Sequence, residues 1–314
     1  MTSPSEAEFA ARAEPLRGAL RLHCYRMLGS SHDSDDMVQE TLLRAWRARD
    51  TLEDPARLKP WLYRIATNAC LDELARRPRR LLASDLRPAA DPSVAAVEPI
   101  DEALWLEPMP DRWLEGAQTA DPTARYALRE SVALAFIAAL QLLSPSQRAV
   151  LLLRDVVGMT AEEAAAALDQ TVSAINSALH RARAAIDEKV APRDPASFAS
   201  SPADAAALAG YVRAIAECDV DAMIALMHED LHTTMPPSPT WIAGRAANEV
   251  FYRIMFGRWR RGDVRVVPLG ANGQPGFAFE RAGIVRAIEV VELRDGLIAR
   301  MHHFMQPALL PLFR

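Results

Sequence analysis

Cysteine is scarce in this 314-residue chain, and its three cysteines, Cys24, Cys70 and Cys218, lie far apart. That spacing excludes a disulfide framework and a thiolate metal pattern, leaving buried apolar thiols in a reducing cytoplasm as the reading. No run of about 18 apolar residues occurs, so a membrane-spanning helix is not expected. The opening "MTSPSEAEFAARAEP" has no basic start followed by an apolar stretch, so no export signal is expected either. The expectation is a soluble, cytoplasmic protein that makes no membrane contact. A net charge of −5 argues against indiscriminate coating of nucleic acid.

Half of the residues are hydrophobic, enough for two or three cores in a chain of this length. Charge falls in blocks. Between Leu42 and Arg80 ten Arg/Lys face five Asp/Glu, and between Asp85 and Glu130 ten acids face four bases. Such alternation suits a chain that meets nucleic acid with some parts and avoids it with others.

Apolar periodicity predicts helices from residue 6 to about 77, broken at Gly29 and at Asp54-Pro55. Residues 1–80 are read as one helical domain. Residues 81–126 are read as an irregular acidic linker anchored by Trp105, Leu106 and Trp113. Helical pattern returns over 127–190, and "APRDPASFASSPAD" reads as a second linker over 191–203. Residues 204–314 change grammar: one helix, then the strand-like runs "VRVVPLG", "FAFER", "IVRAIEVVELR" and "LIARMHHFM". Asn272-Gly273 and Asp295-Gly296 are hairpin turn signals between such runs. The fold class is therefore multidomain, with two all-α domains and a terminal α+β domain.

The stretch "GMTAEEAAAALDQTVSAINSALHRARAAI" spells two helices and a tight turn. Thr160 and Glu163 form a capping box for a helix running from Ala161 to about Leu168, and Thr171 can cap the next. Steps of about 100° put Val172, Ile175, Ala178, Leu179, Ala182 and Ile186 on one face of the second helix. Ser173, Asn176, Ser177 and His180 point away, flanked by Arg181 and Arg183. This pattern is a helix-turn-helix whose second helix suits a DNA major groove. Thr171, Ser173, Asn176, Ser177, His180, Arg181 and Arg183 are its candidate DNA-binding residues, the arginines for phosphates and the amide and hydroxyls for base edges. An ordinary helical hairpin with a solvated basic face fits the same stretch.

Two quoted segments carry a family resemblance. "DSDDMVQETLLRAW" (33–46) with "KPWLYRIATNACLDELARR" (59–77) resembles region 2 of sigma factors of the extracytoplasmic-function type. "LLSPSQRAVLLLRDVVGMTAEEAAAALDQTVSAINSALHRAR" (142–183) resembles their region 4. With "ALWLEPMPD" and the extra terminal domain, the chain resembles the subgroup fused to a SnoaL-like domain, a cone-shaped α+β fold.

The resemblance implies a function: directing promoter-specific initiation by core RNA polymerase, with the terminal domain modulating activity. It implies that Asp36, Gln39 and Glu40 pair with the clamp helices of the largest polymerase subunit, with Met37, Leu43 and Trp46 facing inward. It implies that the next helix faces the −10 promoter element through Trp61, Tyr63, Arg64, Asn68, Asp72, Arg76 and Arg77, and that residues 171–183 face the −35 element. The aromatics would stack on unpaired bases, and "RRPRR" (76–80) would touch phosphate. The acidic linker would thread polymerase channels otherwise filled by nucleic acid. Asn176 and Ala178 stand where many relatives carry Lys and Arg, which implies a weaker or different −35 grip. A helix-turn-helix regulator independent of polymerase, and a DNA-binding protein with an enzymatic terminal domain, are the alternatives.

In residues 204–314 the candidate acid–base groups are Asp230, His232, Glu289, His302 and His303, and no convincing pair is evident among them. The run "HEDLH" (228–232) satisfies a zinc-peptidase signature that requires a helix. Here the β-branched, proline-rich continuation predicts extended chain, where His228 and His232 would be about 13 Å apart. No metal, cofactor or catalytic residue is expected, while a small ligand or a regulatory partner at this domain is possible.

Overall fold

The computed structural model describes residues 6–52, 54–77, 79–93, 105–115, 121–189 and 201–313. They form two compact units, one drawn from residues 1–80 and 112–192, the other from 81–111 and 193–314. The expected 81–126 linker is thus divided: among its described residues, 81–93 and 105–111 fold with the terminal domain, and 112–115 and 121–126 with the helices.

The first unit begins with α1 (Glu6–Ala13), α2 (Arg17–Leu28), α3 (Ser31–Arg47) and α4 (Leu58–Leu74). Gly29 closes α2 at φ 67°, and the Ser30 hydroxyl caps α3 by accepting from Asp33 N at 3.1 Å. Leu20, Leu22, Met27, Val38, Leu62 and Ala66 fill the centre, joined by the buried Cys24 and Cys70. Next come α5 (Arg112–Glu115), α6 (Pro122–Glu130), α7 (Leu134–Leu142), α8 (Pro145–Leu151), α9 (Ala161–Leu168) and α10 (Val172–Lys189). Trp113 on α5 sets its ring edge-on to Tyr25 and under the Arg21 guanidinium, fixing α5 to α2. A π-helical turn, Leu152–Val156, follows α8.

Two buried arginines join the halves of this unit. Arg148 on α8 donates to Met27 O and, at 2.6 Å, to Gln141 Oε1. Arg26 on α2 donates to Ser131 O at 3.1 Å and to Ser131 Oγ at 2.7 Å. Helix α4 packs on α9, and α10 on α7, α8 and α9.

The second unit holds α11 (Pro202–Glu217), α12 (Val220–Ala225), β1 (Met227–Thr234), β2 (Trp241–Ala243), α13 (Arg245–Phe256), β3 (Val264–Ala271), β4 (Gln274–Arg281), β5 (Ile284–Arg294) and β6 (Leu297–Phe304). The sheet order is β2-β1-β6-β5-β4-β3; β1 runs parallel to β6, and every other pair is antiparallel. Tyr211 and Ile215 of α11, Met223 of α12 and Tyr252 and Phe256 of α13 pack with Phe277, Val291 and Met301 of the sheet in one core. The two expected hairpin turns are present, with Asn272, Gly273, Asp295 and Gly296 all at positive φ. Ala282-Gly283 makes a third turn of the same kind, at φ 51° and 73°.

"HEDLH" lies on β1, so its two histidines share no helical face. Residues 109–111 of the connector are bonded to the tip of the β3–β4 hairpin. Met109 N donates to Asn272 Oδ1 at 2.9 Å, Asn272 N to Met109 O at 3.0 Å, Asp111 N to Gly270 O at 3.1 Å and Gly273 N to Asp111 Oδ1 at 2.7 Å.

Two expected outcomes follow from this packing. Asn272→Ala puts alanine at positive φ and strands the Met109 N–H, so urea unfolding should show a loss of about 2–3 kcal/mol, with Asn272→Asp much milder. Burial holds His23 and His302 neutral down to about pH 3, with Arg26 and Arg300 respectively adding to the effect. Their unfolded counterparts protonate near pH 6.5, so this stability is complete above that value. It falls on acidification by about 1.4 kcal/mol per pH unit per histidine until the folded value is reached. A His302→Gln variant should show a shallower stability slope between pH 6.5 and 5 than the parent, and an equal slope would contradict the assignment.

Candidate nucleic-acid interface and cone pocket

The helix-turn-helix is built as local chemistry dictates. Thr160 Oγ1 accepts from Glu163 N at 3.1 Å while Glu163 Oε2 accepts from Thr160 N at 2.9 Å, completing the capping box. Asp169 ends α9 in the left-handed conformation, and the Thr171 hydroxyl accepts from Ala174 N at 3.2 Å to start α10. Ala164, Ala165 and Ala167 of α9 and Ile175, Ala178, Leu179 and Ala182 of α10 are buried. Their small volume lets the helices approach and turns the opposite face of α10 outward. Ser173, Asn176, Ser177, His180 and Arg181 are exposed there. Val172, expected inward, is 37% exposed because it opens the helix before the packed turn begins. Thr171 is exposed with its hydroxyl occupied as the cap. Arg183 is exposed but paired, its guanidinium on both Asp155 oxygens at 2.8 and 2.6 Å. That pairing holds Arg183 above the usual guanidinium range and makes it a brace between α10 and the π-helical turn.

In the first helices, Asp36 and Gln39 are exposed and Glu40 half-buried on α3. Arg44, one turn on, donates to Glu40 at 2.6 Å and crosses to Asp72 of α4 at 2.8 Å. Asp36, Gln39, Glu40, Asp72 and Arg76 therefore line one groove between α3 and α4. Trp61 and Arg64 line another at the start of α4, with Glu162, Glu163 and Ala166 of α9 on its far wall. Asn68 lies half-buried between these two ends of the helix.

Several expectations on these helices are corrected. Tyr63 is a core residue, buried with its ring edge-on to His23 at 5.1 Å, and offers no face for stacking. Trp61 is only half-exposed. Arg77 is committed inside the unit, to Asp33 at 2.8 Å and to Glu73, while buried Arg80 binds the other Asp33 oxygen at 2.7 Å. Arg76, Arg77 and Arg79 of "RRPRR" are exposed, Arg77 within its ion pairs. Leu43 is 43% exposed on α3, and Met37 and Trp46 are half-buried. The i, i+8 spacing of Arg64 and Asp72 turns about 80° around a helix, enough to hand Asp72 to α3.

The terminal unit encloses a cavity of about 220 Å³ between α11, α13 and the sheet. Strand register places Glu289 of β5 opposite His303 of β6, bringing the carboxylate to 2.6 Å from His303 Nδ1. Tyr252 Oη lies 3.3 Å from His303 Nε2. This pair was missed from the sequence, where the two residues are merely candidates among five. His302, its neighbour, points away and meets Thr234 Oγ1 at 2.9 Å. His232 is half-buried beside Trp241 and Asp230 is exposed. Arg44, Asp155 and Tyr211 were also unremarked; only the Glu40–Arg44 spacing could have announced its contact.

Comparison with known proteins follows the same divisions. Residues 13–80 match Sigma-70 region 2, 133–186 match Sigma-70 region 4, and 208–301 match the SnoaL-like domain. The chain is 42% identical to the ECF RNA polymerase sigma factor SigG of Mycobacterium tuberculosis over 312 residues, 98% of this chain and 83% of that protein. It is 27% identical to SigJ of the same organism, over 94% and 90% of the two chains. The crystal structure of SigJ superposes with a TM-score of 0.61 at 20% identity, covering 97% of this chain and 99% of that one, so the fold is shared. No described helix is long and apolar enough to cross a membrane.

The Arg183–Asp155 brace carries its own test. Asp155→Ala releases the guanidinium, so the salt dependence of duplex DNA binding should steepen by about one counterion. An unchanged slope would leave Arg183 as a strut alone.

Proposed function

The chain belongs to the extracytoplasmic-function RNA polymerase sigma factors, which direct promoter-specific transcription initiation, and from that premise we propose which surfaces carry each step. The observation carrying the reading is the outward polar face of α10, projected from a capped turn over an alanine-lined contact. Ser173, Asn176, Ser177 and His180 face the −35 element and Arg181 holds phosphate, Thr171 and Arg183 acting through helix position. Asp36, Gln39 and Glu40 meet the polymerase clamp helices. Trp61, Arg64 and Asn68 serve the −10 element, and Asp72 and Arg76 border the polymerase groove.

A consequence is conformational. The two promoter elements stand about 25 base pairs apart, roughly 85 Å of duplex. Helix α4 packs directly on α9, so the first unit must open before both elements are held at once. The terminal domain modulates that activity through the connector. Residues 109–111, hydrogen-bonded to the β3–β4 tip, are withheld from the polymerase channel that the linker is expected to thread.

Run-off transcription on fragmented genomic DNA with core polymerase tests the assignments together. Discrete starts sharing −10 and −35 elements are expected. Asn176→Ala should cut initiation about 5- to 100-fold, as one lost base-edge contact would, with core polymerase binding intact. Gln39→Ala should weaken core binding and leave duplex binding alone. Truncation near residue 195 should alter the profile; identical profiles would overturn the modulatory role.

A further inference from the structure

Charge in the terminal unit is unevenly placed. Residues 201–313 hold eleven arginines, no lysine and twelve acids, close to neutrality as a whole. Six of those arginines stand at one end of the sheet. Arg258, Arg260 and Arg261 occupy the turn after α13, Arg265 lies at the start of β3, Arg281 closes β4 and Arg286 lies near the start of β5. Strand register gathers the last three: Val264 pairs with Arg281, Arg265 with Glu280, and Arg281 with Ile284 across the next turn. Trp259, Arg281 and Arg286 line the same cavity, which sets the α13–β3 turn beside the β4–β5 turn. All six arginines are exposed.

The acids at this end are fewer and engaged. Glu217 meets Arg261 at 3.4 Å, Glu280 meets Arg265 at 3.3 Å and Asp263 meets Arg281 at 3.7 Å. Such exposed pairs contribute little and exchange partners readily. On α12, Asp219 is the helix cap and Asp221 binds Arg253. Arg258, Arg260 and Arg286 have no ion pair among the described residues. Clustered like charge works against a compact fold, and an anion relieves it.

A row of guanidinium groups selects the kind of anion. Each fork matches a phosphate in shape and stays charged at any working pH, and several spread over one end match successive phosphates of a backbone. Ile284, 51% exposed, and Met305, 39% exposed, are the large apolar side chains that reach solvent here, too few to insert into a bilayer. Chain length supplies the partner. Eleven residues, 190–200, join α10 to α11 and span about 40 Å at full extension, so an α10 seated in its groove keeps this unit tethered beside the same duplex.

We propose that this end of the terminal unit binds the phosphate backbone of duplex DNA without reading its sequence. Arg258, Arg260 and Arg286 make the contacts, and Arg261, Arg265 and Arg281 strengthen the local field. The acidic balance of the chain as a whole confines the contact to this end. The inference rests on the sigma-factor reading only for the presence of promoter DNA.

The test is fluorescence anisotropy of a labelled duplex of scrambled sequence, titrated with full-length protein over a range of salt concentrations. The duplex carries neither promoter element, so this proposal and the promoter assignments fail separately. Arg286→Gln should flatten the plot of log affinity against log salt by about 0.9, one released counterion. The triple change of Arg258, Arg260 and Arg286 to Gln should flatten it by about 2 to 3 and weaken low-salt binding more than ten-fold. Arg294→Gln, at the far end of β5, should keep the parent slope. Circular dichroism checks that these exposed substitutions leave the fold intact. A parental slope in the triple variant would overturn the proposal, as would equal flattening by Arg294→Gln. Binding to phosphatidylglycerol vesicles that the triple variant loses, with its duplex slope unchanged, would also overturn it and give this end to a membrane surface.

Discussion

The helical unit depends on two guanidinium groups buried where its halves meet. Arg26 and Arg148 are each lowered to about 10, chiefly by burial, and so stay charged at neutral pH. Removing a charge from water costs several kcal/mol, and here the Ser131 carbonyl and hydroxyl and the Met27 carbonyl from the other half of the unit compensate, with the Gln141 amide oxygen from Arg148's own half. That chemistry has two faces. Closed, each guanidinium is held by oxygens of the opposite half, which fixes the geometry. Opened, both regain water, so separation costs less than breaking an apolar contact of equal area. Such a joint suits the opening proposed above for the two helices.

The same economy of contacts appears on α3 and α4. Arg44 bridges Glu40 and Asp72, and Asp33 holds Arg77 and Arg80, so much of the basic block is neutralised internally. Arg47, Arg57, Lys59, Arg64, Arg76 and Arg79 remain exposed outside those pairs, as do Asp36 and Gln39. The terminal unit adds a second constraint through the connector, whose residues 109–111 behave as an extra strand end on the β3–β4 hairpin.

Much of this was legible in the residues. The capping box at Thr160, the Thr171 cap and the alanine-lined turn are local features, and each helix bound near them matched its expectation. Asn272-Gly273 and Asp295-Gly296 announced their hairpins because asparagine, aspartate and glycine tolerate positive φ. Ala282-Gly283 went unseen, since alanine rarely adopts that conformation and only strand pairing holds it there. The extended chain expected at "HEDLH" is strand β1, whereas helix α13 was obscure for a related reason: "RAANEV" carries no clear period, and its state follows from packing on the core.

The sequence by itself determined the family, the order of the domains, the helix-turn-helix and its outward face, because caps and periodicity act over a few residues. Only the tertiary structure decided that Tyr63 is core, that Arg77 and Arg183 are struts, and that Asp72 serves α3. It alone placed residues 109–111 on the terminal hairpin and Glu289 against His303. Each of those facts is a pairing between distant segments, and a pairing is settled by which surfaces bury each other, which no local pattern encodes.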